Sequence, residues 1–279
     1  MRVETLSMQG SWPLNEDALL INAKNRIYGV ADGATSLVPY VNDRRETGGY
    51  LAASLIREYV ENLQGEGELR HHLKTANGLL REAMVRAAVD VRRKEALWSA
   101  AVALVRIDDT GIEYAQTGDC MIFAVYRGNR IRPLTFPQTE HVEAEAFAKW
   151  EAGIARGIAT YAELRDSVHE IFVRNRQRAN APDGYGVLNG MENAGDFVES
   201  GRISRSNLQA LVLLTDGLFM PRKRGCPDPD WAETVGPILE KGLEAYAADL
   251  LRLENGDPEC LQYVRFKKSD DKTGIVIRF

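Results

Sequence analysis

Between residues 99 and 136 the chain passes through four short segments, SAAVALVRI, IEYAQTG, MIFAVYRG and RIRPLTF, separated by Asp-Asp-Thr-Gly, Gly-Asp or Gly-Asn. Each is rich in apolar residues or β-formers, so the stretch predicts an antiparallel meander. Further strands are expected at 2–9, 17–22 and 26–31, at 209–215 (QALVLLT) and at 272–279 (KTGIVIRF). Apolar residues recur at helical spacing over 47–63, 69–95, 143–178 and 230–254, while 181–196, polar and Gly-rich, reads as loop. Strands at both ends, helices between them and no regular βαβ alternation predict an α+β chain in which sheet packs on sheet with helices outside.

With 279 residues, 44% hydrophobic and 27% charged, the chain has ample apolar material for a core. It contains no repeat, low-complexity tract or interdomain linker, which favours one domain over residues 1–279. The balance of 35 basic against 40 acidic residues gives no footprint for nucleic acid or an anionic membrane. Cys120, Cys226 and Cys260 form no Cys-x-x-Cys spacing and no disulfide framework. No run of about 18 apolar residues occurs, and no leader pattern opens the sequence. The expected location is the cytoplasm.

Three acidic motifs, VADGA at 30–34, LLTDGLF at 213–219 and SDDKTGIVIRF at 269–279, put Asp32, Asp216 and Asp270 at the margins of apolar runs. A carboxylate beside an apolar strand costs free energy unless it is solvated, paired or bound to a cation. NEDALL at 15–20 adds Glu16 and Asp17. A lone Asp-Gly is more often a hairpin turn than a ligand, but several such placements share one explanation. Carboxylate-rich ligation suits Mg²⁺ or Mn²⁺, whereas zinc would call for His or Cys at spacings absent here; His71, His72, His141 and His169 make no HExxH. Two such ions held together can activate a water and neutralise phosphoryl oxygens. P-loop and Gly-x-Ser-x-Gly motifs are missing.

Taken in order, NEDALL, VADGATS, TGDCMIF, LLTDGLF and DDKTGIVI resemble the metal-dependent Ser/Thr protein phosphatases of type 2C, particularly their bacterial forms, from about residue 7 to the C-terminus. The resemblance implies an αββα sandwich of two antiparallel sheets with a binuclear Mg²⁺/Mn²⁺ site at one end. It also implies a phosphorylated protein substrate and an opposing Ser/Thr kinase. By position, Asp32 resembles the carboxylate that bridges both metals, and Gly33 the residue that offers its backbone carbonyl. Asp216 and Asp270 resemble the other direct ligands. Glu16 and Asp17 match an acidic pair around the metal-bound waters, with Glu16 also a catalytic candidate. Asp119, in TGDCM, is either an outer member of the site or a turn residue, and Asp271 is expected to shape its loop.

Departures concern the substrate phosphate. The family commonly has an arginine four residues before the Glu of its NED motif; this chain has Trp12, which carries no charge. Arg44 and Arg45 are weak substitutes for which a solvated surface role competes, as it does for Arg222, Lys223 and Arg224. Ala34 stands where eukaryotic members carry a His proposed as general acid. Trp98-Ser99-Ala100 replaces the usual Gly-Ser/Thr-Thr, and a third ion stays open. The segment 137–182 lies where the family has a variable flap, and here it is long and helical. Two alternatives therefore accompany the phosphoprotein phosphatase reading: a catalytically impaired regulatory binding module, and a phosphatase of small phosphoesters.

Overall fold

The computed structural model describes residues 1–34, 37–64 and 66–279, so the Thr35-Ser36 end of the VADGATS motif lies outside the described residues. The front sheet contains β2 (Asp17–Asn22), β3 (Ile27–Ala34), β4 (Ser99–Ile107), β5 (Gly111–Thr117) and β8 (Glu199–Ser204), in that order. The back sheet contains β1 (Arg2–Met8), β10 (Lys272–Arg278), β9 (Leu208–Leu214), β6 (Met121–Tyr126) and β7 (Arg130–Pro133), ordered β1-β10-β9-β6-β7. Every pairing is antiparallel.

Strand alternation divides the core. Along β4, Ala101, Ala103 and Val105 face Ile122, Leu213 and Ile275 of the back sheet, while Ala100, Val102 and Leu104 face helices. Covered on both sides, such a strand reads as a continuous apolar run rather than an alternating one. Helices α1 (Gly48–Glu61) and α2 (Leu69–Arg86) close the front through Ala52, Ile56, Val60, Leu73 and Leu80. The back is closed by α5 (Trp231–Lys241) and α6 (Leu243–Asn255) through Val235, Ile238, Tyr246 and Leu250. Each fully buried Leu, Ile or Val side chain contributes roughly 1.5–3 kcal/mol. The arrangement is the expected αββα sandwich.

Between β7 and β8 the chain leaves the sandwich as an α3 (Glu140–Ala155) and α4 (Tyr161–Gln177) pair, within the expected helical segment. This pair has its own core of Trp150, Leu164, Val168 and Ile171 with Cys260 and Val264 from the segment before β10. Trp150 Nε1 donates to the Cys260 carbonyl at 3.2 Å, and Phe266 stacks on Phe147 at 4.3 Å. The helical layer thereby grips the loop that enters β10.

The structure differs from expectation in four places. The four segments from 99 to 136 do not form one meander: β4 and β5 belong to the front sheet, β6 and β7 to the back. The crossing is at Gly118, whose φ of +78 turns the chain out of one sheet and into the other. The second helix stops at Arg86 instead of 95, and the expected helix at 230–254 breaks at Gly242 into α5 and α6. Strand β8, ESGRIS, was not expected from the sequence; it is an edge strand whose residues alternate between half-buried and exposed.

Candidate metal centre and active site

Antiparallel topology collects the acidic motifs. β2 begins, β3 ends, β5 passes to β6, β9 ends and β10 begins at the same end of the sandwich, so Asp17, Asp32, Asp119, Asp216 and Asp270 gather there. Asp17 and Asp32 are direct cross-strand partners. Both share the parity of Leu19, Ile21, Tyr28 and Val30, which face between the sheets. Glu16 has the opposite parity. Its buried side chain turns towards the start of α1, where the Thr47 hydroxyl donates to its carboxylate. Adjacent in sequence, Glu16 and Asp17 thus lie on different faces of the sheet.

Two glycines permit the approach of these segments. A Cβ on Gly33 would collide with the Gly49 carbonyl at the start of α1, and one on Gly217 would collide with the Asp271 carbonyl. Gly217 therefore lets Asp216 lie beside the 270–271 backbone. Asp271 shapes this loop as expected: its carboxylate accepts from Gly10 N at 2.7 Å and Glu16 N at 2.8 Å. Asp17 accepts from the Thr215 hydroxyl at 2.8 Å. Asp119 accepts from the Thr139 hydroxyl at 3.3 Å, which ties the Gly118-Asp119 crossing to the helical layer.

The cluster is short of positive charge. Burial raises Asp17 and Asp32 well above the usual carboxylate range, and neighbouring carboxylates add to it: Asp270 and Asp216 at Asp17, Asp17 and Asp216 at Asp32. Asp216 is pushed up to about 7 by burial, then by Asp270 and Asp119. Asp119 is raised, chiefly by burial. Asp216 Oδ1 is buried with no hydrogen-bond partner among the described residues, a costly state for a carboxylate oxygen.

A cavity of about 620 Å³ opens over this end, with Asp32, Asp119, Asp216 and Asp270 in its wall. The wall also holds groups with no motif to announce them. Glu143, in the first turn of α3, is pushed up to about 8 by burial and by Asp119 and Asp216. Arg176 of α4 donates to Ser99 Oγ at 2.7 Å. Lys267 Nζ stands 2.6 Å from Asp270 Oδ1. Burial alone would lower the Lys267 ammonium, but Asp270, Asp32 and Asp216 outweigh it and raise it well above the ordinary lysine range. The only sequence signal was Lys267-Lys268 immediately before the SDD motif.

Other expected residues do not join the cavity. Arg44 and Arg45 are exposed on the loop before α1 and absent from its wall. Trp12 is 44% exposed and is likewise absent from the wall. Donor chemistry fits a hard cation: carboxylates dominate, one oxygen is unpartnered, and no histidine lines the cavity among the described residues. Still, among the described residues no three or more His, Cys, Asp or Glu side chains already stand in a ligating group.

The family profile for protein phosphatase 2C matches residues 11–252, and the chain belongs to that family of Ser/Thr protein phosphatases, which are hydrolases. Solved structures share the fold. Serine/threonine phosphatase Stp1 from Staphylococcus aureus is 14% identical with a TM-score of 0.58, the match covering 99% of this chain and 94% of that one. PppA, a regulatory component of the T6SS in Pseudomonas aeruginosa, is 17% identical with a TM-score of 0.56, covering 99% and 96%. The catalytic domain of the serine threonine protein phosphatase PstP, in complex with two manganese ions, is 16% identical with a TM-score of 0.55, covering 99% and 96%. No curated protein matches by sequence. No helix among the described residues is long and apolar enough to cross a membrane.

Proposed function

We propose that the chain is a single-domain phosphoprotein phosphatase that hydrolyses phosphoserine and phosphothreonine with two Mg²⁺ or Mn²⁺ ions, acting in the cytoplasm against a Ser/Thr kinase. The observation that carries this reading is the gathering of Asp17, Asp32, Asp216 and Asp270 at one end of the sandwich with too little positive charge. The two manganese ions of the PstP complex support the same choice of cofactor. Asp32, the Gly33 carbonyl, Asp216 and Asp270 would hold the ions. When bound, these supply water activation and neutralise phosphoryl charge.

The chain's own residues complete the site. Asp17, steadied by Thr215, would orient water at the cluster, with Asp119 in the cavity wall and Glu16 acting through the start of α1. The departing seryl oxygen needs a proton, and Ala34 has none to give. Glu143, protonated near neutrality, holds one at the cavity wall. The segment 137–182, with α3 and α4, forms a flap that selects the substrate.

Purified protein with Mn²⁺ is expected to hydrolyse a phosphopeptide panel, and Asp216→Asn to lose that activity while keeping its fold. Equal rates for the two proteins sink the reading. One observation favours a second reading, an impaired phosphatase acting as a binding module: Lys267 pairs with Asp270 in the acidic site while Trp12 leaves the usual phosphate grip empty of charge. Metal binding without turnover on any phosphopeptide would select it, and turnover of aryl phosphate alone would select a small-phosphoester enzyme.

A further inference from the structure

Arg165, Arg176, Arg222, Arg265 and Lys267 reach the cavity wall. Three, Arg165, Arg222 and Arg265, are engaged away from the acidic cluster. Arg222 pairs with Glu151 at 3.1 Å, and Arg265 with Asp257 at 3.0 Å. Arg165 lies over the Phe172 ring at 4.3 Å, and Arg176 donates to Ser99. Lys267 differs, because its ammonium contacts Asp270 directly and its charge also bears on Asp32, Asp119, Asp216 and Glu143.

Placement makes this contact persistent. Lys267 is three residues from Asp270 on the same loop, so its ammonium is always at high effective concentration beside the carboxylates. Its neighbour Phe266 is held by Phe147, Trp150 and Phe172 of the helical layer. From the other side, Lys272 Nζ fixes the loop through the Ser269 hydroxyl and the Asp270 carbonyl, each at 3.0 Å. A monovalent cation held among carboxylates that also suit a divalent one must compete with it, since both draw on the same negative charge.

We propose that Lys267 is a tethered counter-cation of the acidic site, which Mg²⁺ or Mn²⁺ must displace, so that this one side chain sets the site's metal affinity. The inference rests on the metal-dependent reading above and extends it to a residue of this chain. It implies a phosphatase that responds to the free divalent concentration.

Calorimetric titration with Mn²⁺ at neutral pH, on wild type, Lys267→Met, Lys267→Arg and Asp216→Asn, tests it without an activity assay. Lys267→Met is expected to bind Mn²⁺ about tenfold more tightly than wild type, and Lys267→Arg to stay near wild type, because removing the competing charge is what matters. Mn²⁺ should also raise the melting temperature of Lys267→Met by more than that of wild type. If Lys267→Met does not fold, Lys267→Gln, which keeps a donor for Asp270, takes its place. Equal or weaker binding by the folded neutral variant overturns the proposal while leaving the metal reading intact. Failure of both wild type and the neutral variant to bind, as expected of Asp216→Asn, overturns the metal reading and this proposal with it.

Discussion

Asp216 and Asp257 are both carboxylates enclosed by protein, and the structure treats them in opposite ways. Asp257 accepts the backbone N–H of Leu261 at 2.9 Å, Gln262 at 3.1 Å and Tyr263 at 2.8 Å, and pairs with Arg265 at 3.0 Å. Burial alone would raise it, but these donors hold it below the ordinary carboxylate range. Nearby, Lys272 and Glu254 pair at 3.0 Å with side chains 1% and 8% exposed. Asp216 lacks such donors, has an unpartnered oxygen and is pushed up to about 7. Where the fold supplies donors, a buried acid organises a loop; where it withholds them, the charged form of the acid is disfavoured.

The contrast breaks first at the site itself. Asp216→Asn should lower Mn²⁺-dependent phosphopeptide turnover by about 10³-fold or more, with the metal-free melting temperature unchanged or higher, since an unfavourable carboxylate is removed. Assay and calorimetry on one preparation check both halves. Asp257→Ala should do the reverse, costing roughly 3–5 kcal/mol of stability in urea unfolding because Arg265 is left buried and unpaired. Lys272→Met should also destabilise, by about 3 kcal/mol, while Glu254→Leu combined with it should recover much of the loss. Urea midpoints of the single and double variants decide this.

Proton linkage sharpens the same difference. The folded protein holds protons on Asp216 to about pH 7 and on Glu143 to about pH 8, whereas in the unfolded chain both carboxylates release them at ordinary values. The folded state therefore binds more protons between these limits, and its stability must fall as pH rises. In EDTA the melting temperature should drop by about 5 °C from pH 5 to pH 8, and Glu143→Gln should flatten the upper part of that slope. A rising curve would show that the carboxylates are neutralised by other means. The smallest effect is expected at the exposed Arg44: Arg44→Ala should change KM for a phosphopeptide by less than about twofold, and a larger change would return it to the phosphate site.

The layered fold was legible because strands and helices leave different periodicities, whereas the covering of β4 on both faces emerged only from the packing. Sheet membership was not legible. β5 and β6 are separated only by the turn at Gly118, and nothing local reveals whether it folds a strand back beside its neighbour or sends it to the opposite sheet. At the site, the Asp-Gly motifs pointed to Asp32 and Asp216 because each ends an apolar strand. The separation of Glu16 from Asp17 followed strand parity, which could be read only once their register with β3 was known.

By itself the sequence determined the chemistry: which carboxylates sit at strand ends, that no histidine or cysteine set competes with them, and that Trp12 removes a charge from its expected place. Only the tertiary structure decided their company. Glu143 and Arg176 reach the cavity from α3 and α4, and no local pattern marks them because each is an ordinary helix residue in its own segment, while Lys267 stands only three residues before Asp270 yet bears on Asp32 and Asp216 through the fold. Electrostatic neighbours are a property of distance in space, and that distance is set by the packing of α3 and α4 on the loop that carries Asp270.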